Sequence, residues 1–330
     1  MSIINVVLSG GVGSRLWPLS RKSKPKQYLP IFGNSSLFEL TIDRNLSFCE
    51  GIMVVGSIDN FKLSREKLAN LGHSYKEIIE ATPRNTAAAI AFAAFSVEGD
   101  DILLVTPSDH LISKEAAYRN AVQDAINLAK DGFLVTFGLR PHKPETGFGY
   151  IEYNGIDVVS FREKPSLAKA EEYLSSGNFL WNSGMFCFSA KAFLSELKLH
   201  SPEVYEASRK AFEAMENGFL PLGESKAIPS ISVDYAVMEK SKKIKVVPSE
   251  FVWSDMGSFE ALYDHLGPED HRRMGTNLVL GSEKHVEFLG VENIVLVDTK
   301  DAILVLNKND AQEVKKIYER LERENPDLLN

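Results

Sequence analysis

Cysteines, long apolar runs and common catalytic signatures are all scarce in this chain of 330 residues. The two cysteines, Cys49 and Cys187, lie far apart, which argues against a disulfide or a cysteine metal site and favours buried thiols in the cytoplasm. The most apolar stretch, residues 87–97, is too short to span a bilayer, and no secretory signal is evident. Signatures of nucleophilic hydrolases and zinc proteases are also missing.

Acidic residues are missing from one segment, and this absence is informative. The first 38 residues contain five basic side chains and no Asp or Glu, whereas the whole chain has 37 Lys and Arg against 45 Asp and Glu, a net charge of −8. The acidic balance argues against general nucleic-acid binding, and the basic segment is too short to cover a duplex. A local positive excess in an acidic protein instead indicates a small bound anion.

The basic segment surrounds a glycine loop. Residues 3–8 form an apolar strand pattern, and Gly-Gly-Val-Gly follows at 10–13. Glycines let backbone N–H groups close around an oxyanion, and Arg15 and Lys26 add charge from two further points. No Lys follows at P-loop spacing, and Leu16 stands where a dinucleotide fingerprint needs its third glycine. The sequence therefore predicts a phosphate-gripping loop of another kind, with a structural turn as the alternative.

Apolar strand patterns alternate with helical patterns through the first two thirds of the chain. This alternation predicts an α/β fold, with a Rossmann-like mixed, mostly parallel sheet and helices on both faces. Residues 86–97 are apolar almost all round, as in a buried helix, and a helix over 36–48 begins with a Ser-x-x-Glu capping pattern. The predicted strands are residues 3–8, 51–55, 102–106, 133–137, 150–153 and 185–188.

A polar stretch near residue 265 changes the character of the sequence. We predict a catalytic domain over residues 1–264, a linker over 265–275 and a small C-terminal β domain with a terminal helix over 276–330. Its elements are strands at 293–298 and 302–306 and a helix at about 310–324. No hexapeptide repeat is sustained long enough to establish a β-helix from sequence. The apolar strands favour a homodimer.

Two aspartates are candidate metal ligands. Asp109 follows the strand predicted at 102–106, where α/β proteins bind ligands, and its carboxylate suits Mg²⁺ beside a nucleotide phosphate. The alternative is a turn or helix cap. Asp255 precedes Gly257 at a turn, so capping competes with metal binding there as well. Two carboxylates from distant segments fit an ion held mainly by phosphates and water.

The segment before the buried helix is a candidate base site. Glu80 leads into a Thr-Pro loop, and Arg84, Asn85 and Thr86 follow it. A helix start offers free N–H groups, and a Glu, an Asn and backbone groups could complement guanine O6, N1 and N2. The alternative is a capped helix start with Arg84 in solvent.

Three later segments suit a sugar-phosphate pocket. Residues 146–151 contain two glycines that permit close approach of the backbone to a ligand. Glu163 offers a carboxylate for sugar hydroxyls, Lys164 a cation for phosphate and Asn182 an amide at a glycine-bounded turn. Each segment alone is also an ordinary strand end. Asp234 either approaches the sugar or caps the helix that follows it.

In combination, these motifs resemble the sugar-1-phosphate nucleotidylyltransferases from residue 3 to about 260. The likeness rests first on Gly-Gly-x-Gly-x-Arg-Leu-x-Pro-Leu-Ser followed by Pro-Lys-Gln. Trp17 and Gln27 point to the branch of mannose-1-phosphate guanylyltransferases. The later motifs match in order: Arg-Asn-Thr-Ala at 84–87, Asp-His at 109–110 and Trp-x-Asp-Met-Gly at 253–257. Departures from the usual pattern, at Thr106, Ser108 and Met256, leave the proposed ligands intact.

The resemblance implies a Mg²⁺-assisted reaction of GTP with α-D-mannose 1-phosphate that gives GDP-mannose and pyrophosphate, without nucleic-acid or membrane partners. It implies catalytic roles for Arg15, Lys26 and Asp109, and metal ligation by Asp109 and Asp255. It also implies that the small C-terminal β domain resembles a short left-handed β-helix, which relatives often use to dimerise. The implied nucleotide contacts are Leu8, Gly10, Gly11, Gly13, Ser14, Arg15, Glu80, Arg84, Asn85, Thr86, Ser108 and Asp109. The implied sugar-phosphate contacts are Gly147, Tyr150, Glu163, Lys164, Asn182, Gly184 and Asp234.

Two alternatives stay open at this point. The chain could use another sugar 1-phosphate or nucleoside triphosphate, or it could be a catalytically silent subunit that senses GDP-mannose, which the intact Arg15, Lys26, Asp109 and Asp255 argue against. Larger members of the branch add a C-terminal isomerase domain, for which this chain has no room, so no mannose-6-phosphate isomerase activity is expected. The roles of Arg21, Lys22 and Lys24 are unassigned.

Overall fold

The structure, a computed structural model, describes residues 1–31, 33 and 35–330. The strands are β1 (Ile3–Ser9), β2 (Gly51–Ser57), β3 (Lys76–Glu80), β4 (Ile102–Pro107), β5 (Leu111–Ser113), β6 (Leu134–Leu139), β7 (Tyr150–Asn154), β8 (Asp157–Arg162), β9 (Phe179–Ser189), β10 (Ile244–Ser249), β11 (Val252–Ser254), β12 (Arg273–Met274), β13 (Asn277–Leu280), β14 (Ile294–Asp298) and β15 (Ile303–Asn307). The helices are α1 (Leu37–Asn45), α2 (Phe61–Leu71), α3 (Thr86–Phe95), α4 (Glu115–Lys130), α5 (Leu167–Ser176), α6 (Ala190–His200), α7 (Pro202–Glu213), α8 (Leu222–Ala227), α9 (Phe259–His265) and α10 (Val314–Glu324).

The chain divides into two compact units, and it passes between them several times. The first unit contains residues 1–10, 39–108 and 112–253. The second contains residues 11–38, 109–111 and 254–330. The domain boundaries expected from the sequence, near residues 264 and 276, stay a prediction.

A mixed sheet forms the centre of the first unit. Within the described residues its strand order is β3-β2-β1-β4-β9-β6-β10-β8-β7. Strands β1 to β4 pair in parallel, as do β6 and β10, whereas β9 runs antiparallel to both β4 and β6. Continuous apolar runs such as residues 102–106 are buried, as expected for central parallel strands. The predicted mixed, mostly parallel sheet is confirmed.

Helices cover both faces of this sheet. Along β4, Leu103 and Val105 point into a core that includes α3, whereas Ile102 and Leu104 point into a second core that includes α4. This alternation is the period-2 geometry of a strand. In α3, every residue from Ala87 to Ala94 is buried, so the predicted all-round apolar helix is confirmed.

Some elements of the first unit differ from the sequence expectation. Strands β3, β8 and β10 were not predicted, because charged residues interrupt the first two, and β10 carries Lys and Pro. Strand β9 begins at Phe179 rather than at residue 185. Its early half contains Asn182, Ser183 and Gly184, whose turn-like composition hides the strand pattern.

The second unit contains a small sheet in the order β12-β13-β14-β15, together with α9 and α10. Its core joins Leu16 and Trp17 of the N-terminal segment to Phe259, Val295 and Tyr318. The predicted C-terminal β domain with a terminal helix is confirmed, although a 3-10 turn over 308–313 delays the start of α10.

Strand β15 lies at an edge of this sheet, and its Ile303 and Val305 side chains are exposed. The homodimer expected from these strands stays a prediction. Among the described residues, no helix has both the length and the apolarity needed to cross a membrane.

Candidate active site

The glycine loop of the second unit is stabilised by the Pro-Lys-Gln segment that follows it in sequence. Gly11 and Gly13 have φ angles of 81° and 77°, a conformation that glycine adopts at little cost. The backbone N–H of Lys26 donates to the Val12 carbonyl at 3.1 Å, and the Gln27 side chain donates to the Gly11 carbonyl at 3.3 Å. A Cβ atom at Gly13 would lie 2.6 Å from Lys26 Cβ. The glycine loop and the Pro-Lys-Gln segment therefore pack together as one structural unit.

Lys26 contacts both predicted metal ligands, Asp109 through its carboxylate and Asp255 through its backbone carbonyl. Its side chain is almost fully buried, and its Nζ lies 2.7 Å from Asp109 Oδ2. The same Nζ donates a hydrogen bond of 2.6 Å to the backbone carbonyl of Asp255. A buried ammonium group needs such partners, because an unpaired charge away from water is costly. The structure thus brings Lys26, Asp109 and Asp255 together.

Neither aspartate caps a helix. Helix α4 begins at Glu115, well after Asp109, and Ser258 caps α9 by accepting from the backbone N–H of Ala261. Asp255 instead accepts a hydrogen bond of 3.1 Å from the backbone N–H of Gly257, within a local turn. This removes the helix-cap alternative for both carboxylates.

Arg15 lies on the other side of Asp255. Its Nη2 is 3.6 Å from Asp255 Oδ2, and its Nη1 donates a hydrogen bond of 2.7 Å to Gln312 Oε1. Gly257 leaves the space that the guanidinium fills, since a Cβ there would come within 2.7 Å of Arg15 Nη2. The Arg15 side chain is about one third exposed and lines a cavity, so it is accessible to a ligand.

These groups line one cavity of about 530 Å³. The cavity is lined by loop glycines, Arg15, Lys26, Asp109 and Asp255, and also by side chains of α10. Its volume suits a nucleotide-sized ligand. The loop glycines and two cations can hold phosphate, and the carboxylates can hold a cation.

The neighbours of Asp109 favour its ionised form. Desolvation alone would raise the pKa of this carboxyl, but Lys26 and His110 outweigh it and hold the pKa below its ordinary value. His110 Nε2 lies 3.7 Å from Asp109 Oδ1. Asp109 is therefore a carboxylate throughout the neutral range, as a cation ligand must be.

Two carboxylates from distant segments are the oxygen donors that Mg²⁺ uses when substrate phosphates and water complete its shell. No cluster of three or more His, Cys, Asp or Glu residues that could hold a metal occurs in residues 1–31, 33 and 35–330. Asp109 and Asp255, which both line the cavity, are two such carboxylates.

Arg21, unassigned in the sequence, has a structural position. Its side chain is buried, and it donates to the Pro18 carbonyl at 2.9 Å and to Asp301 Oδ1 at 2.6 Å. It also donates to the carbonyl of Leu328, near the C-terminus. Lys22 reaches Glu322 of α10 at 3.0 Å and lines the cavity.

The predicted base segment lies in the first unit. Asn85 has a φ of 69° and caps α3 by accepting from the Thr86 N–H at 2.8 Å. Thr86 Oγ1 accepts a hydrogen bond of 2.9 Å from the backbone N–H of Val233. Arg84 is half-buried, and its Nε donates to the Ile228 carbonyl at 2.6 Å, so it does not extend into solvent.

Glu80 has an unusual environment at the end of β3. The residue is buried, and its Oε1 has no hydrogen-bond partner among the residues described. Burial raises the pKa of Glu80 to about 7, although the backbone N–H of Arg84 opposes the rise. A buried acceptor without a partner is costly, so this oxygen is available to a ligand donor.

The predicted sugar residues of the first unit form a second cluster. Asn182 donates a hydrogen bond of 3.0 Å to Asp234 Oδ1, and its own Oδ1 accepts from Thr136 and from the Gly184 N–H. Lys164 Nζ lies 2.8 Å from Glu163 Oε1. Burial and then the charge of Glu163 raise the pKa of Asp234 to about 6. The structure thus brings the two carboxyls and the amide together.

A glycine makes this cluster possible. A Cβ at Gly149 would lie 2.5 Å from Glu163 Oε2 and 3.3 Å from Asn182 Cβ. The Gly149 carbonyl also accepts from the Asn182 N–H at 2.8 Å. The glycines in 146–151 were expected to let the backbone approach a ligand closely. At Gly149 the groups that approach the backbone are instead the side chains of Glu163 and Asn182.

The remaining predicted contacts are more dispersed. Ser108 is buried beside Leu8, whose carbonyl accepts from its N–H at 3.0 Å, and its hydroxyl has no partner among the described residues. Gly147 lies in an exposed turn, where its N–H donates to Glu145. Tyr150 is fully buried and packs on Tyr173 at 5.4 Å. Gly10 is exposed after β1, and Ser14 lines the loop cavity.

Sequence reasoning missed the cavity residues that come from the C-terminal segment. Gln312 contacts Arg15, and Tyr318 and Glu322 line the same cavity. Tyr318 and Glu322 are four residues apart in α10, so they share a face of that helix, which is the one available sequence signal. No local pattern points to Gln312, because its partner is 297 positions away.

Two models of known protein families match this chain. A family model described as Nucleotidyl transferase matches residues 4–267, and one described as MannoseP isomerase/GMP-like beta-helix domain matches residues 275–321.

Relatives with similar sequences carry related names. A putative mannose-1-phosphate guanylyltransferase of Vibrio cholerae is 41% identical over 98% of this chain and 75% of its own length. A mannose-1-phosphate guanylyltransferase of Klebsiella pneumoniae is 40% identical over 97% of this chain and 74% of its own. A solved structure from Thermus thermophilus, named mannose-1-phosphate geranyltransferase, has a TM-score of 0.84 and 32% identity, and covers 98% of this chain and 100% of that one.

Proposed function

This chain belongs to the nucleotidyl transferase family, and we propose that it is a mannose-1-phosphate guanylyltransferase. The proposed reaction joins GTP and α-D-mannose 1-phosphate to give GDP-mannose and pyrophosphate. The observation that carries the proposal is the set formed by Lys26, Asp109, Asp255 and Arg15 around one glycine-loop cavity. It combines cations for phosphate with carboxylates for a metal ion.

In the proposed reaction, an oxygen of the sugar phosphate attacks the α-phosphorus of GTP. A new phosphorus–oxygen bond forms, and the bond from the α-phosphorus to the bridging oxygen of the departing pyrophosphate breaks. The attacking phosphate is already a nucleophile, so the protein supplies positioning and charge neutralisation rather than a covalent intermediate.

The loop N–H groups and Arg15 would hold the β- and γ-phosphates and stabilise pyrophosphate as it leaves. Lys26, fixed between Asp109 and the Asp255 carbonyl, would place its charge at the α-phosphate. Its burial means that this position costs little ordering when substrate binds.

Nucleotidyltransferases as a class use divalent metal ions, and we propose Mg²⁺ for this chain. Asp109 and Asp255 would hold it, and when bound it would neutralise phosphate charge. The oxygen-only donor set and the ionised state of Asp109 support this assignment.

Substrate selection would come from the first unit. The unpartnered Glu80 oxygen can accept from N1–H or N2–H of guanine when the carboxyl is ionised. In the second cluster, Glu163 and Asp234 can accept hydrogen bonds from sugar hydroxyls, and Lys164 can hold the sugar phosphate.

The test is pyrophosphate release by the purified chain with Mg²⁺, across a panel of nucleoside triphosphates and sugar 1-phosphates. We expect GTP with mannose 1-phosphate to give the largest kcat/KM. Arg15→Ala should reduce that value by at least about a hundredfold, since removing one preorganised charge donor costs this much. A higher kcat/KM with another pair would reassign the substrates, and full activity of Arg15→Ala would disprove the role of the loop.

A further inference from the structure

The C-terminal segment reaches the residue that is proposed to hold the leaving pyrophosphate. Gln312, in the 3-10 turn before α10, accepts a hydrogen bond of 2.7 Å from Arg15 Nη1. Arg15 has a second partner, Asp255, at 3.6 Å, which is longer than a hydrogen bond. Among the described residues, the Gln312 carboxamide therefore makes the shorter of the two contacts that orient this guanidinium.

The chemistry of this contact suits orientation better than neutralisation. A carboxamide is neutral, so it fixes the direction of an N–H group without cancelling the charge of the arginine. A carboxylate at the same position would form a strong charge-assisted pair with Arg15 and compete with phosphate. Arg15 has five N–H donors, and one bond to Gln312 leaves the others for a ligand.

Orientation matters because Arg15 is about one third exposed and long. An arginine side chain must be ordered when it binds a phosphate, and the loss of its rotamer freedom opposes binding. Gly257 bounds the guanidinium on one side, since a Cβ there would lie 2.7 Å from Nη2. With Gln312 as the other contact, much of that ordering is complete before the ligand arrives.

From this geometry we propose that Gln312 is a positioning residue for Arg15, and that it strengthens binding of a polyphosphate in the loop cavity. The inference rests on the proposed function, because it takes Arg15 as the group that holds the β- and γ-phosphates. It assigns the C-terminal segment a role in nucleotide binding in addition to its role in the core of the second unit.

The first measurement is equilibrium binding of inorganic pyrophosphate and of GTP, with Mg²⁺, to the full chain by calorimetry. Gln312→Ala should weaken both about tenfold, and Gln312→Glu should weaken them at least as much. In steady-state assays Gln312→Ala should raise KM for GTP and leave KM for mannose 1-phosphate unchanged. A matched control is Gln123→Ala, which removes an exposed helical glutamine of the first unit, paired at 3.3 Å with Asn127.

The decisive comparison is a double-mutant cycle. If Gln312 acts through Arg15, then Arg15→Ala with Gln312→Ala should bind pyrophosphate no more weakly than Arg15→Ala alone. Additive losses would overturn the proposal, as would a Gln312→Ala variant that binds pyrophosphate as tightly as the unmodified chain, or more tightly. Unchanged binding would mean that Gln312 does not affect Arg15, and tighter binding would mean that Gln312 competes with phosphate.

The two proposals fail in distinguishable ways. If the unmodified chain binds GTP and pyrophosphate but does not form GDP-mannose, the proposed function is wrong, while the binding cycle still reports on Gln312 and Arg15. If GDP-mannose is formed but the cycle is additive, the proposed function stands and the positioning role is wrong.

Discussion

Asp109 and Asp234 are the same residue type in two candidate sites, and their environments shift their pKa values in opposite directions. Desolvation acts on both. Next to Asp109 are Lys26 and His110, and its pKa lies below the ordinary value. Next to Asp234 is Glu163, and its pKa rises to about 6. Cationic neighbours overcome desolvation at Asp109, whereas at Asp234 desolvation, and then the charge of Glu163, raise the pKa.

This contrast separates the two chemistries. In the second unit, cations and carboxylates alternate, as suits a polyphosphate and a metal ion. In the first unit, two carboxyls and an amide face one another, and such groups exchange hydrogen bonds with neutral hydroxyls at low electrostatic cost. We therefore propose that the two clusters bind different parts of the substrates.

The largest effect is expected from removal of the positive charge of Lys26, which contacts Asp109 and the Asp255 carbonyl. Lys26→Met should lower kcat about a thousandfold, because it removes a buried charge proposed to act on the α-phosphate and leaves Asp109 without its closest partner. The measurement is steady-state formation of GDP-mannose at saturating substrates.

Lys24→Met is the matched control, since Lys24 belongs to the same basic segment and its side chain is exposed. Its kcat should remain within about twofold of the unmodified chain. Equal losses in the two variants would show that the segment acts only through its total charge.

The next largest effect concerns Glu80, the other carboxyl of the first unit whose pKa is strongly raised. The folded chain holds a proton on Glu80 up to about pH 7, against 4.5 ordinarily. Stability therefore falls as the pH rises from about 4.5 to about 7, by up to about 3 kcal/mol. Glu80→Gln should remove that fall.

Urea unfolding at several pH values between 4 and 8 measures this difference. Glu98→Gln, at an exposed position, should leave the pH dependence unchanged. If Glu80→Gln has the same slope as the unmodified chain, then Glu80 ionises normally and is not held in an apolar environment.

A substitution at Arg21 tests whether all the basic residues near the glycine loop take part in anion binding. Arg21→Ala should cost about 2 kcal/mol of unfolding free energy, because it removes the hydrogen bond to the Pro18 carbonyl and the Arg21 contacts with Asp301 and the Leu328 carbonyl. Its KM for GTP should stay within about twofold. Thermal unfolding and steady-state kinetics measure the two quantities, and a large KM change with normal stability would place Arg21 among the phosphate ligands instead.

The parts of the fold and site that follow from the sequence are those encoded locally. The apolar runs of β1, β2 and β4, the all-round apolar α3 and the glycine loop have short-range signatures. Asp109 could be placed because it follows a strand directly. These predictions need no knowledge of distant residues.

The missing parts depend on distant contacts. The Lys26 contact with Asp255 spans 229 positions, and the Arg15 contact with Gln312 spans 297. Nothing near either residue in sequence specifies such a partner. Likewise, Asn182 reads as a turn residue, although it lies within β9, where its side chain bonds Asp234.

The smallest effect is expected from a substitution that tests how much the negative charge of Glu163 raises the pKa of Asp234. Glu163→Gln removes the negative charge that, after burial, does most to raise the pKa of Asp234. The raised pKa makes the folded chain lose stability as the pH rises from about 3.8 to about 6. Since burial is the larger cause, the substitution should narrow this window and recover about 1 kcal/mol at pH 6. Carboxyl NMR of Asp234 and urea unfolding at pH 4 to 7 both report the shift.

Glu172→Gln is the control, because Glu172 is exposed and its partner is Lys169. It should leave the titration of Asp234 unchanged. If Glu163→Gln also leaves it unchanged, burial alone accounts for the raised pKa, and the opposite shifts of Asp109 and Asp234 would then come from Lys26 and His110 on one side only. If the pKa falls as expected, neighbouring charges contribute to the opposite pKa shifts at both aspartates, because they add to the effect of burial at Asp234 and overcome it at Asp109.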